Sequence, residues 1–240
     1  MTLTVITREA REAFKLESVI LLYGGAGKGY GSVHRVAHKG DKLFPGEGHP
    51  VTVRALRETF KVLAPEAVPK AEFIPATVLA QSPDVIVWWM PPAMRNVWFD
   101  QKELGGQRSA SVPVPGLVFA VCRGDWFVYA VSGDQRPTQE SPLFRAPFYN
   151  VWESGRICAG NVSVPQGSLA ERTDLWEKAF FESWFTHSNV DKLVKYRGGA
   201  TAFWKRMLSG GFGQSFPMGT LVPLDTTLQG LINGANNRKD

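Results

Sequence analysis

Cysteine is scarce in this chain of 240 residues, which has 2. Two thiols, Cys122 and Cys158, cannot build the disulfide framework of a small secreted domain. No Cys/His spacing fits a structural zinc site, and no metal centre is expected. A reducing cytoplasm is the expected compartment. Long hydrophobic runs are also missing. The longest, Ser18–Tyr23, is strand-sized and breaks at Gly24, far short of the roughly 20 residues that span a bilayer. The first dozen residues mix Arg8, Glu9, Arg11 and Glu12 into apolar positions, which argues against a signal peptide. Neither sign of charge dominates: 27 Lys+Arg against 22 Asp+Glu gives +5, a weak hint about partners. What is present is enough apolar material for a core, at 44% hydrophobic and 20% charged. With 24 Gly and 16 Pro, many turns and few long helices are expected.

Val19–Tyr23 and Ser32–His38 flank a glycine cluster and read as a β-hairpin, followed by a break at Pro45, Gly46, Gly48 and Pro50. Val53, Leu56, Phe60 and Leu63 fall on one helical face, predicting a helix over 52–63 that Pro65 and Pro69 end. Four strand-like runs follow: Glu72–Ala80, Asp84–Met90, Gly116–Cys122 and Trp126–Val131. Arg123-Gly124-Asp125 joins the last two as a hairpin, and Val97–Phe99 is a candidate continuation of the second. Short turns between sequential strands predict an antiparallel four-stranded meander within an α+β fold. Ser132–Pro147 reads as a proline-bearing loop. A helix is expected over Asp174–His187, capped by Asp174 with Glu177, and another over Thr201–Leu208. Three segments result: a β extension over 1–50, a core over 51–209 and a Gly/Pro-rich tail over 210–240.

Several motifs fail on inspection. Gly24-Gly25-Ala26-Gly27-Lys28-Gly29 lacks the spacing of a phosphate-binding loop: Leu22 stands at the first glycine and Gly29 at the hydroxyl position. A strand follows it, so no helix terminus faces a phosphate. His34 and His38 share a strand face without a third ligand, which favours surface or strand-pairing roles. Lys192, Lys195, Arg197, Lys205 and Arg206 lie near Tyr196, Phe203 and Trp204. That patch fits a solvated helix face or a docking surface for an acidic protein better than a nucleic-acid site.

The two cysteines differ in context. Cys122 ends the run Leu117–Val121 and reads as core filler. Cys158 follows the turn signal Ser154-Gly155 and precedes the small residues Ala159-Gly160. Asn150 stands eight residues before it. The spacing, with Ser154-Gly155-Arg156-Ile157-Cys158, resembles the His-Pro-Asn and Gly-x-Ile/Val-Cys elements of ubiquitin-conjugating enzymes. The order of elements from Thr52 to Leu208 is similar to that UBC-like fold. More narrowly, Pro45–Pro50, Trp88-Trp89 and Pro147–Gly160 resemble the PRTRC system protein B family, prokaryotic ubiquitin-conjugating-like family D. The chain departs from the eukaryotic pattern where Phe148-Tyr149 replace His-Pro, and where Ala159-Gly160-Asn161 and a long loop to Thr173 follow the cysteine.

The resemblance implies a nucleophilic Cys158 that carries a ubiquitin-like modifier as a thioester and passes it to an amine. It assigns Asn150 an amide donor to the oxyanion. Gly155 and Ile157 would shape the turn. Tyr149, Asn161 or Ser163, and His187 would stand as supporting residues, with Glu153 and Asp174 too loosely placed to serve as a base. The implied partners are a ThiF-like activating enzyme, the modifier and a JAB-type metalloprotease, with no cofactor. An inactive scaffold binding the same partners is the alternative that Phe148-Tyr149 favours. A cysteine hydrolase pairing Cys158 with His187 is the other, and it requires those side chains to converge.

Overall fold

A computed structural model of the chain describes residues 16–25, 28–40, 42–52, 54, 56, 58, 73–160, 162, 165 and 172–237. They fall into two compact units, Met1–Glu72 and Phe73–Asp240.

In the first unit β1 (Ser18–Gly25), β2 (Lys28–Lys39) and β3 (Lys42–Pro50) form an antiparallel sheet in that order. The glycine cluster lies inside the β1–β2 ladder, with Gly24 opposite Gly29. The expected break at Pro45–Pro50 is instead a third strand, with a register shift between His34 and Val36 that accommodates Pro45. His34 is a strand-pairing histidine: its ring bonds Gly46 O at 2.8 Å and Ser32 Oγ at 2.7 Å. A Cβ at Gly48 would stand 2.3 Å from that ring, so only glycine fits there. Of the helix expected over 52–63, Arg54, Leu56 and Glu58 are helical, and the remainder lies outside the described residues.

The second unit is α+β. Its main sheet has six strands in the order β12-β10-β9-β8-β5-β4, all antiparallel. These are β4 (Val78–Ser82), β5 (Val85–Met90), β8 (Gly116–Cys122), β9 (Asp125–Val131), β10 (Pro142–Arg145) and β12 (Pro223–Thr227). The four expected runs occupy neighbouring places, but the chain does not run straight from β5 to β8. It first makes a hairpin of β6 (Ala93–Gln101) and β7 (Gly106–Val114). Val97–Phe99 therefore belongs to a second, three-stranded sheet, where β11 (Trp184–Phe185) pairs parallel with β6. The first run starts at Val78 rather than Glu72, because Ile74-Pro75 leads into a turn closed by Val78 N–H on Pro75 O. Arg123 and Gly124 both have positive φ, 49° and 86°, as a two-residue hairpin turn requires.

Strand alternation sorts the core into two faces. Trp88, Phe119, Trp126 and Val128 face one way, against α1 (Thr173–Phe181), α2 (Gly199–Leu208) and the small sheet. Val87, Val118, Cys122 and Phe127 face the other, against α3 (Leu228–Asn237). With both faces covered, β8 is buried along its whole length, which explains its unbroken apolar run. Residues 223–237 of the expected tail are thus a sheet strand and a covering helix. The helix expected over Asp174–His187 stops at Phe181, where Ser183 Oγ donates to Phe180 O at 2.7 Å, and the chain turns into β11. Asp174 does not cap it: the N-cap position is Arg172, without a side-chain capping bond. Glu177 accepts from buried Trp88 Nε1 at 3.2 Å and pairs with Arg95 at 3.1 Å. No helix among the described residues is long and apolar enough to cross a membrane.

Candidate active site

From Asn150 to Cys158 the chain folds back on itself. Cys158 N–H donates to Asn150 O at 2.7 Å and Trp152 N–H to Arg156 O at 2.8 Å. Val151 faces Ile157 in an antiparallel bridge between them. The pairs 150/158, 151/157 and 152/156 therefore stand opposite one another, leaving Glu153-Ser154-Gly155 as the turn. A separation of eight is what sets the asparagine across from the thiol. Gly155 has φ 82°, and a Cβ there would lie 2.4 Å from the Tyr129 ring, whose hydroxyl donates to Ser154 O at 2.7 Å. The second arm pairs antiparallel with β9: Ile157 N–H donates to Trp126 O at 2.8 Å and Val128 N–H to Gly155 O at 2.9 Å. Further along, Tyr129 and Ala130 pair with β10.

The segment before the hairpin is held by aromatic packing. Phe148 is buried among Phe180, Phe181, Phe185 and Trp204, with ring centroids 5.1–5.9 Å away. Trp204 Nε1 donates to Pro147 O at 3.0 Å. Tyr149 is 1% exposed and packs edge-on against Phe99 at 5.3 Å. Burial pushes its phenol above the usual range, against the lowering effect of a hydrogen bond with Thr201. Tyr149, a candidate supporting residue, is therefore part of the core and does not line the site. Aromatic packing thus fixes the two residues that stand where the eukaryotic pattern has His-Pro.

Asn150 has φ 59°, a left-handed conformation that asparagine tolerates better than most residues. Its side chain reaches the strand end at 184–187. Nδ2 donates to Trp184 O at 2.7 Å, while Oδ1 accepts from Thr186 N–H at 3.2 Å and Thr186 Oγ1 at 3.0 Å. The carbonyl and the N–H each bond in one sense only, so the orientation of the amide is determined. Asn150 N–H also donates to His187 O at 2.9 Å. One asparagine thus ties the cysteine hairpin to the segment carrying His187.

The two meet in a groove of about 590 Å³, lined by Asn150, Cys158 and Gly160 on one side and by Glu182, Trp184 and His187 on the other. Cys158 and His187 share this groove without a hydrogen bond between them among the described residues. Cys158 is partly exposed; Cys122 is buried and its thiol donates to Ala235 O at 3.3 Å under α3. Gly155 and Ile157 build the hairpin without lining the groove. Asn161 and Ser163 lie outside the described residues. Glu153 is turned away to pair with Arg145 at 2.8 Å. Asp174 lines a separate groove with Arg95, Trp98 and Glu177. Glu182, Trp184 and Thr186 escaped sequence reasoning, because Trp184-Phe185 prolongs the helical pattern of Trp176, Phe180 and Phe181. No group of three His, Cys, Asp or Glu side chains among the described residues could hold a metal ion.

Nothing among curated proteins or solved structures matches the chain. The family model described as "Prokaryotic E2 family D" matches residues 55–224, more than two-thirds of the chain, and spans β4 to α2 together with the Asn150–Cys158 hairpin. On that match, the chain belongs to prokaryotic E2 family D.

Proposed function

We propose that the protein carries a ubiquitin-like modifier as a thioester on Cys158 and passes it to a target amine. The observation that supports this reading most is the partly exposed thiol, held opposite Asn150 at an open groove in a member of an E2-like family. Cys158 attacks the activated carboxyl group of the modifier, and the amine then displaces the thiolate. Asn150 has one Nδ2–H left after its bond to Trp184 O, and that hydrogen is the donor available to an oxyanion. The narrower likeness to PRTRC system protein B, carried by Pro45–Pro50, Trp88-Trp89 and Pro147–Gly160, supports a ThiF-like enzyme as the source of activated modifier, with a JAB-type metalloprotease in the same system.

Incubation with activating enzyme, ATP and modifier is expected to give a reductant-sensitive adduct. Cys158→Ala abolishes it and Cys122→Ala leaves it intact. A scaffold that binds these partners without a thioester is the second reading, favoured by the engagement of the Asn150 amide with residues 184–186. Binding of the partners with no adduct would establish that reading instead.

A further inference from the structure

We propose that His187 is the general base of the transfer step, taking a proton from the acceptor amine as it attacks the thioester on Cys158. The inference rests on the carrier reading above. Thr186 Oγ1 has a single hydrogen and spends it on Asn150 Oδ1, an atom that can only accept. The 2.8 Å contact between Thr186 Oγ1 and His187 Nδ1 must then have Nδ1–H as its donor. In the neutral imidazole this tautomer leaves the lone pair on Nε2. A relay of two hydrogen bonds, His187 to Thr186 to Asn150, therefore sets the basic nitrogen. Asn150 accepts from Cys158 N–H and donates to His187 O, so one residue joins the nucleophile and the base. The histidine is exposed and lines the same groove as the thiol, so an acceptor entering that groove reaches both. Among the described residues, the charged and titratable groups sharing the groove with His187 are Cys158 on the hairpin and Glu182 at the end of α1, the latter 3.9 Å from Lys178.

The step balances without a further reactant. The amine nitrogen forms a bond to the thioester carbonyl carbon and gives its proton to Nε2. The carbon–sulfur bond breaks with its electron pair on Sγ, and the imidazolium proton returns to the thiolate or to solvent. The product is an amide and free Cys158.

The test separates this inference from the reading beneath it. A glycine-terminated peptide thioester of mercaptoethanesulfonate loads Cys158 by exchange, and single-turnover discharge to free L-lysine is followed by mass spectrometry from about pH 6 to about pH 9. His187→Asn, whose amide can still donate to Thr186 Oγ1, is expected to load normally and to discharge about a hundredfold more slowly than the wild type. Equal rates and profiles for the loaded wild type and His187→Asn would overturn the base while leaving the carrier intact. Loss of loading in His187→Asn would place the histidine on the Cys158 thiol and overturn the proposal. Discharge of the wild type to water at the same rate with and without lysine would make the site a hydrolase. No adduct on wild-type Cys158 would remove the carrier reading, and this inference with it.

Discussion

Asn150 carries two burdens: a left-handed backbone and a side chain that ties the hairpin to 184–187. They can be separated. Glycine adopts that backbone freely and alanine does not. Asn150→Ala is expected to cost about 2 kcal/mol, from lost hydrogen bonds and backbone strain together. Asn150→Gly is expected to cost about 1 kcal/mol less than alanine. Urea midpoints check both figures. Both variants should discharge slowly, because each removes the side-chain amide that holds Thr186 and, through it, orients the His187 ring. A variant with wild-type discharge would remove the oxyanion and positioning roles of the amide together.

At the scale of elements, the end of α1 decides where the histidine goes. The helix stops at Phe181, β11 pairs parallel with β6, and Thr186-His187 emerge beside Asn150. Glu177, one turn earlier in α1, has a testable electrostatic consequence. Burial raises its carboxyl above 4.5, and this outweighs the lowering by Arg95 and Trp88; Asp174 raises it further. Between 4.5 and the folded value, the native state holds more protons than the unfolded chain. Stability contributed by this group is therefore present at low pH and falls as pH rises through that window. Glu177→Gln keeps an acceptor for Trp88 Nε1, and its unfolding midpoint is expected to fall less between about pH 4.5 and about pH 7 than that of the wild type. A parallel decline in both would assign the pH dependence to other groups.

The same element shows what could be read from residues alone. Asn150 and Cys158 drew attention because a spacing of eight and a glycine turn, both local in sequence, carry the resemblance to ubiquitin-conjugating enzymes; that the segment is a hairpin came from the structure. The meeting of Cys158 with His187 was not legible. It depends on a helix ending where Trp184 and Phe185 continue the apolar spacing, and on a parallel pairing with β6, far away in sequence. The β6–β7 hairpin was hidden by its polar outer positions and Gly105-Gly106, although Val112 and Val114 are buried. The C-terminal strand and helix were hidden by composition, since Gly230 and Gly234 depress helical propensity in α3 while Leu228 and Ala235 are buried.

For the whole second unit, the fold gives the two cysteines different surroundings. Cys122 faces α3 and is closed off by it, whereas Cys158 opens to the groove. A thiol-alkylating reagent at neutral pH is expected to modify Cys158 in the folded protein and to reach Cys122 only on unfolding, as peptide mapping would show. Equal labelling of both in the native state would mean that α3 does not stay docked.

The grafting of the hairpin onto β9 has a mechanical side. A protein hung from the Cys158 thiol, as proposed, would tug on its anchor whenever it tumbled or docked. That anchor is tied by Cys158 N–H to Asn150, and by Ile157 N–H and Gly155 O to Trp126 and Val128 in the sheet. The pull would be shared among several backbone bonds at once, so the cargo would be moored to the six-stranded sheet, and the attachment point would hold its aim while the load swings.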